Sequence, residues 1–96
     1  MADSQVIERF SPSGARLLRT ERLDSKAHGT QQEWTEAGVL VLEAHYRHGE
    51  LHGAYRSWWD DGVAKEVGEY ISGKRRGTYR WYTPSGELWS EHTFLT

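Results

Sequence analysis

Apolar and polar positions alternate with a period of two in short runs, and glycine-containing polar clusters separate the runs. In residues 5–11, Val6, Glu8 and Phe10 fall on one side and Ile7 and Arg9 on the other, a strand pattern rather than a helical one. SPSG at 11–14 predicts a turn: Pro12 presets its dihedral and Gly14 accepts a positive φ. TEAG (35–38), WDDG (59–62) and TPSG (83–86) repeat the device, each as a three- or four-residue hairpin loop built on a type I turn and a glycine bulge. Return strands follow at 15–23, 39–47, 63–71 and 87–95. The connections HGELHG (48–53) and SGKRRG (72–77) read as loops leading into outgoing strands at 29–35, 53–59 and 77–83.

These clusters recur every 24 residues. Gly53, Trp58, Gly62 and Tyr70 align with Gly29, Trp34, Gly38 and Tyr46 upstream and with Gly77, Tyr82, Gly86 and Phe94 downstream; Phe10 and Gly14 begin the series. Of the ten glycines, Gly68 alone falls outside the recurrent columns. Leu17 and Leu23 match Leu40 and Tyr46 only with a shift of 23, which reads as an extra residue after Gly14 and a shortened DSKAHG turn in a capping copy. The pattern predicts an all-β chain: four β-hairpin repeats, at about 5–27, 28–51, 52–75 and 76–96, form an elongated antiparallel meander of about eight strands within one domain. At about 4.8 Å per strand, eight strands make a sheet roughly 38 Å across. No helix is needed.

Length and charge narrow the picture. A 96-residue chain buries only about 60–65% of its unfolded surface, so a stacked repeat is a natural substitute for a deep core. A net charge of −2 gives no global attraction to nucleic acid or anionic membrane and weakly favours a basic partner. With no cysteine there is no disulfide framework. MADSQVIERF lacks the apolar run of a signal peptide, so the expected location is cytoplasmic.

Candidate chemistry is sparse. His45, His48 and His52 lie close in sequence, but strand and turn positions give no shared face for a metal; His28 and His52 instead share a repeat position that Arg76 fills in the next copy, which reads as a turn preference. Asp60 and Asp61 are ordinary turn carboxylates, and Ser57, Ser85 and Ser90 lack nucleophile spacing. We therefore expect no enzyme, metal, cofactor or small-molecule substrate. The run KRRGTYRWY (74–82) mixes cations with aromatics, as phosphate- and base-binding segments do. Lys74, Arg75 and Arg76 read as one solvated loop.

The unit G-x-Y-x-x-W-x-x-x-G at 53–62, with Tyr70 and SGKRRG after it, resembles the variant MORN repeat; GTYRWYTPSGELWSEHTF matches nearly as well, whereas Gln31 replaces the expected tyrosine in the copy at 29–38. Bacterial chains of such units are grouped as YwqK-like antitoxins, immunity partners of delivered toxins. The resemblance thus implies a non-catalytic protein that binds and occludes a cognate toxin. Alternatives are a MORN-type scaffold or peripheral anionic-lipid module using Lys74, Arg75, Arg76 and Arg80, or nucleic-acid binding through 74–82; neither membrane nor nucleic acid is the expected partner.

Within that reading the rings carry the site. Phe10, Trp34, Trp58 and Tyr82 form one column, Tyr46, Tyr70 and Phe94 a second, and Tyr55 and Tyr79 a third. The first two columns are expected to pack hairpins together. Trp59, Trp81 and Trp89 break the repeat, so packing does not require them. Strand alternation places Tyr55, Trp59, Tyr79 and Trp81 on the face opposite Trp58 and Tyr82. These four rings, with Arg56 and Arg80 at the rim, are the expected partner surface.

Overall fold

The computed structural model describes residues 3–95. Eight strands follow one another: β1 (Ser4–Phe10), β2 (Arg16–Leu23), β3 (Lys26–Trp34), β4 (Leu40–Arg47), β5 (Glu50–Trp58), β6 (Ala64–Ile71), β7 (Lys74–Tyr82) and β8 (Leu88–Phe94). They pair in chain order as one open antiparallel meander. No helix occurs among the described residues.

The four turns at the first kind of glycine behave as the sequence predicts. In each, the glycine amide donates to the carbonyl three residues back, and the residue bearing that carbonyl donates its own amide across the turn. Gly14 N donates to Ser11 O at 2.9 Å and Ser11 N to Ala15 O at 2.8 Å; the pattern recurs at 35–39, 59–63 and 83–87. The other connections are shorter than expected. Each is a two-residue turn, Asp24-Ser25, His48-Gly49 or Ser72-Gly73, with positive φ at both residues, the form whose twist matches the flanking strands.

Two expectations need correction. HGELHG and SGKRRG are not loops: outgoing strands begin at Lys26, Glu50 and Lys74, and the second glycine of each group lies inside the strand. There Gly29, Gly53 and Gly77 take φ of 105°, 110° and 69° where the pairing to the preceding strand slips. A positive-φ glycine within a ladder is a bulge device, and it looks like a loop signal until the register is known. The first copy is also in phase. Return strands start at Arg16, Leu40, Ala64 and Leu88, and Leu18 pairs with Glu33 as Leu42 pairs with Ser57. No residue is inserted after Gly14; only its apolar side chains sit at different positions.

The sheet is a plate of 42 × 39 × 10 Å. Ten ångströms is one layer, so both faces meet solvent. The accessible surface is 6454 Å², above the about 5,700 Å² expected for a compact monomer of this mass. Ala44 and Tyr79 are the fully enclosed apolar residues, with Ser11, Thr20 and Ser57 the buried polar ones. Cohesion therefore rests on cross-strand pairs, each contributing about 0.2–1 kcal/mol.

Candidate functional site

The pairing sorts the side chains into two unlike faces. One row crosses the sheet as Glu8, Arg19, Gln32, Glu43, Arg56, Val67, Arg80 and Glu91. Arg80 Nε meets Glu91 Oε2 at 2.7 Å, and Arg16, which bridges Glu8 at 3.1 Å, lies over the Trp34 ring at 4.5 Å. This is a solvated, charge-paired face.

The opposite face is built on a row of small residues alternating with larger ones. Thr20, Ala44 and Gly68 come from return strands at one repeat position, and Gln31, Tyr55 and Tyr79 come from outgoing strands at another; Ala44 faces Tyr55, and Tyr55 faces Gly68. Gly68, the glycine outside the recurrent columns, is explained here. A methyl group placed on it would lie 2.0 Å from Tyr79 Cδ2 and 2.2 Å from Cε2, so the ring occupies the space a side chain would need. Tyr79 is consequently fully buried.

Around Tyr79 the rings of two predicted columns merge. Its centroid lies 4.7 Å from Trp81, 6.0 Å from Tyr70, 6.4 Å from Tyr55 and 6.4 Å from Phe94, and Tyr55 meets Tyr70 at 5.5 Å. Such tilted and edge-on pairs contribute about 0.5–1.5 kcal/mol beyond burial. The Arg75 guanidinium covers the group, 4.8 Å from Tyr79, 5.6 Å from Trp81 and 5.9 Å from Phe94. Trp81 Nε1 donates to Glu66 Oε1 at 3.0 Å, fixing the indole. Burial pushes the Tyr79 phenol well above the ordinary tyrosine range, and burial followed by Glu66 raises Tyr55 too. Tyr79 OH and Ser57 Oγ are enclosed without a hydrogen-bond partner.

The expected site residues are thus only partly brought together. Tyr55, Tyr79 and Trp81 share the aromatic face, but Tyr79 lies beneath its neighbours and supports the surface without presenting one. Arg56 and Arg80 are not at its rim: one step of alternation puts them on the charged face. Trp59 stands apart in the β5–β6 turn, under the Lys65 ammonium at 4.6 Å, with Nε1 donating to Tyr82 O at 3.4 Å. Lys74, Arg75 and Arg76 do not form one basic loop either. They open β7, where Arg75 pairs with Tyr70 and Arg76 with Glu69, so alternation divides them between faces. Sequence reasoning missed Tyr70, Phe94 and Arg75 as members of the cluster; the one available signal was Gly68, whose meaning depends on a cross-strand neighbour.

The histidines do other work. His28 Nδ1 accepts from His48 N at 3.1 Å and His52 Nδ1 from Ser72 N at 3.2 Å, so each ties its strand to the next two-residue turn. No group of three potential metal ligands converges among the described residues, and no helix there is long and apolar enough to cross a membrane.

Two stretches of the chain, residues 27–48 and 75–95, match the family described as MORN repeat variant. They coincide with the β3–β4 and β7–β8 hairpins and start 48 residues apart, twice the repeat period. No curated protein and no solved structure matches the chain. The β5–β6 hairpin between the two stretches has the same strand starts and turns, so the two matched stretches, similar to MORN repeat variants, fall in phase with the hairpins.

Proposed function

We propose that the chain is a non-catalytic binding repeat that holds a protein partner on its aromatic face, and that this partner is a cognate toxin neutralised by occlusion. The supporting observation is the joined group of Tyr55, Tyr70, Tyr79, Trp81 and Phe94 on one side of a single-layer sheet, where no second layer covers it. Aromatic anchors held rigid by their neighbours are the usual carriers of interface energy. The toxin as partner class rests on the resemblance to YwqK-like antitoxins. Tyr55 and Trp81 act as anchors, Tyr79 as their support, and Trp59 as a contact at the margin. Arg56 and Arg80 belong to the opposite face and take no part in this reading.

The test starts from the neighbouring open reading frames: a toxin-like domain encoded there is titrated calorimetrically against the chain, and the absence of one counts against the toxin reading. Trp81→Ala is expected to weaken binding by about 2 kcal/mol and Arg80→Ala by less than about 0.5 kcal/mol. The reverse order would move the contact to the charged face. Anionic vesicles provide the second arm: no retention at low salt is expected, because the three cations opening β7 do not form one patch. Retention lost in a Lys74, Arg75 and Arg76 triple alanine variant would favour the peripheral-membrane reading.

A further inference from the structure

Among the described residues the return strands β2, β4 and β6 are each paired on both sides, whereas β8 pairs with β7 alone. Its outer backbone groups form an open template for another strand. Here the edge carries exposed apolar side chains: Leu88 is 54% accessible, Trp89 76% and Leu95 91%. Two shallow depressions lie beside it, on either side of Phe94. One, of about 460 Å³, is lined by Trp81, Trp89 and Ser90 among others. The other, of about 480 Å³, is bordered by Lys74 and Arg75, neither of which is in an ion pair among the described residues.

We propose that β8 captures an extended segment of a partner protein by strand addition, and that the segment carries a carboxylate followed four residues later by an aromatic side chain. The spacing comes from the pleat. Phe94 and Ser90 lie four residues apart on the aromatic face, so an antiparallel strand opposite them places residue i beside the Lys74–Arg75 depression and residue i+4 beside Trp81 and Trp89. Charge complementarity selects the carboxylate, and the two indoles select the ring. A second copy continuing the array through its β1 is a poorer occupant. In the register of β2 with β3, where Arg19 faces Gln32, Glu91 would face the incoming Glu8, and like charges directly opposite destabilise a pair. The inference takes its partner class, a protein, from the reading above, and adds backbone pairing at the β8 edge to ring contacts at Trp81.

The probe is the acetylated, amidated peptide Thr-Glu-Val-Thr-Lys-Phe-Thr, titrated into the ¹⁵N-labelled protein. Shifts concentrated in β8 amides are expected, with about tenfold weaker binding when the peptide Glu becomes Lys or when the protein carries Trp89→Ala. Trp89 is exposed, so its removal leaves the fold intact. N-methylation of the peptide amides that face β8 is expected to abolish binding. The proposal is overturned by no binding at about millimolar peptide, by undiminished binding of the N-methylated peptide, or by shifts confined to the face. It is equally overturned if β8 amides are already protected in a dimer of the free protein. Toxin binding sensitive to Trp81→Ala without peptide binding would sink edge capture and spare face binding. Peptide binding with all its controls, but no toxin capture, would support edge capture and sink the toxin reading.

Discussion

At Gly68 the consequence of a single hydrogen can be separated from backbone freedom, because its φ is not positive and only the Tyr79 ring forbids a side chain. Gly68→Ala is expected to cost about 2–3 kcal/mol by overpacking, and Tyr79→Ala about 3–5 kcal/mol by loss of a buried ring. Combined, they should fall short of the sum by about 2 kcal/mol, because removing the ring removes the clash; additive melts would show that the ring does not rest on Gly68. The phenol itself behaves differently. Its hydroxyl is buried without a partner, so Tyr79→Phe is expected to be neutral or stabilising in a urea titration at neutral pH. Its pKa is raised in the folded state, chiefly by burial, which means that the native protein holds the proton after the unfolded chain has lost it. Stability is therefore intact below about pH 10 and falls as pH rises beyond it. The fall should be shallower in Tyr79→Phe, and an identical alkaline slope in both proteins would contradict the assignment. That Gly68 was anomalous could be read from the sequence, but its cause lies eleven residues away on a neighbouring strand.

The hairpin turns show how an element's constraint is exchanged between residues. Ser11, Thr35 and Thr83 open three of the four turns, and each hydroxyl accepts the amide four residues on, at 3.2, 3.1 and 3.2 Å. In the remaining turn Trp59 takes that position, and Asp61 Oδ1 accepts Val63 N at 3.1 Å instead. The turn thus keeps its amide satisfied without the hydroxyl, and an indole occupies a position where the repeat uses a small polar residue. Trp59→Thr is expected to lower the melting free energy by no more than about 1 kcal/mol, because the cation–π contact to Lys65 is lost while Asp61 already caps the Val63 amide. The same variant should weaken partner binding if Trp59 is a contact; a large loss of stability would make it a packing residue. Element positions were legible because a 24-residue period fixes every turn once one is identified: the strand expected at 39–47 is Leu40–Arg47. The starts of outgoing strands were not, because Gly53 and Gly77 look like loop residues until pairing shows them as bulges. The face on which each candidate residue lies was legible to the extent that alternation alone decides it. This put Tyr55 and Trp81 on one face, but Arg56 and Arg80, which alternation sends to the other face, were assigned to the same surface by sequence proximity.

Across the whole plate, backbone pairing is uniform but side-chain cohesion is not. The row that holds Tyr55, Gly68 and Tyr79 in the C-terminal half holds Thr20 and Gln31 in the N-terminal half, joined by a side-chain hydrogen bond of 3.3 Å. The aromatic pairs all involve strands β5 to β8, apart from one between His28 and His48. At the opposite edge, β1 leaves Val6 and Phe10 more than half exposed. A stacked array opens according to local repeat and interface energies, so this asymmetry should appear as a gradient in native-state hydrogen exchange. Strands β3 and β6 make the sharpest comparison. Each is third from its own edge, which removes fraying as an explanation, yet only β6 borders the aromatic cluster on both sides. Amides of β6 are expected to exchange at least about tenfold more slowly than those of β3, corresponding to roughly 1.4 kcal/mol of additional local stability. Tyr79→Ala should bring the two strands together, mainly by accelerating β6. Equal protection in the unmodified protein would mean that the backbone ladder alone sets the stability of the sheet and that the rings contribute little to it.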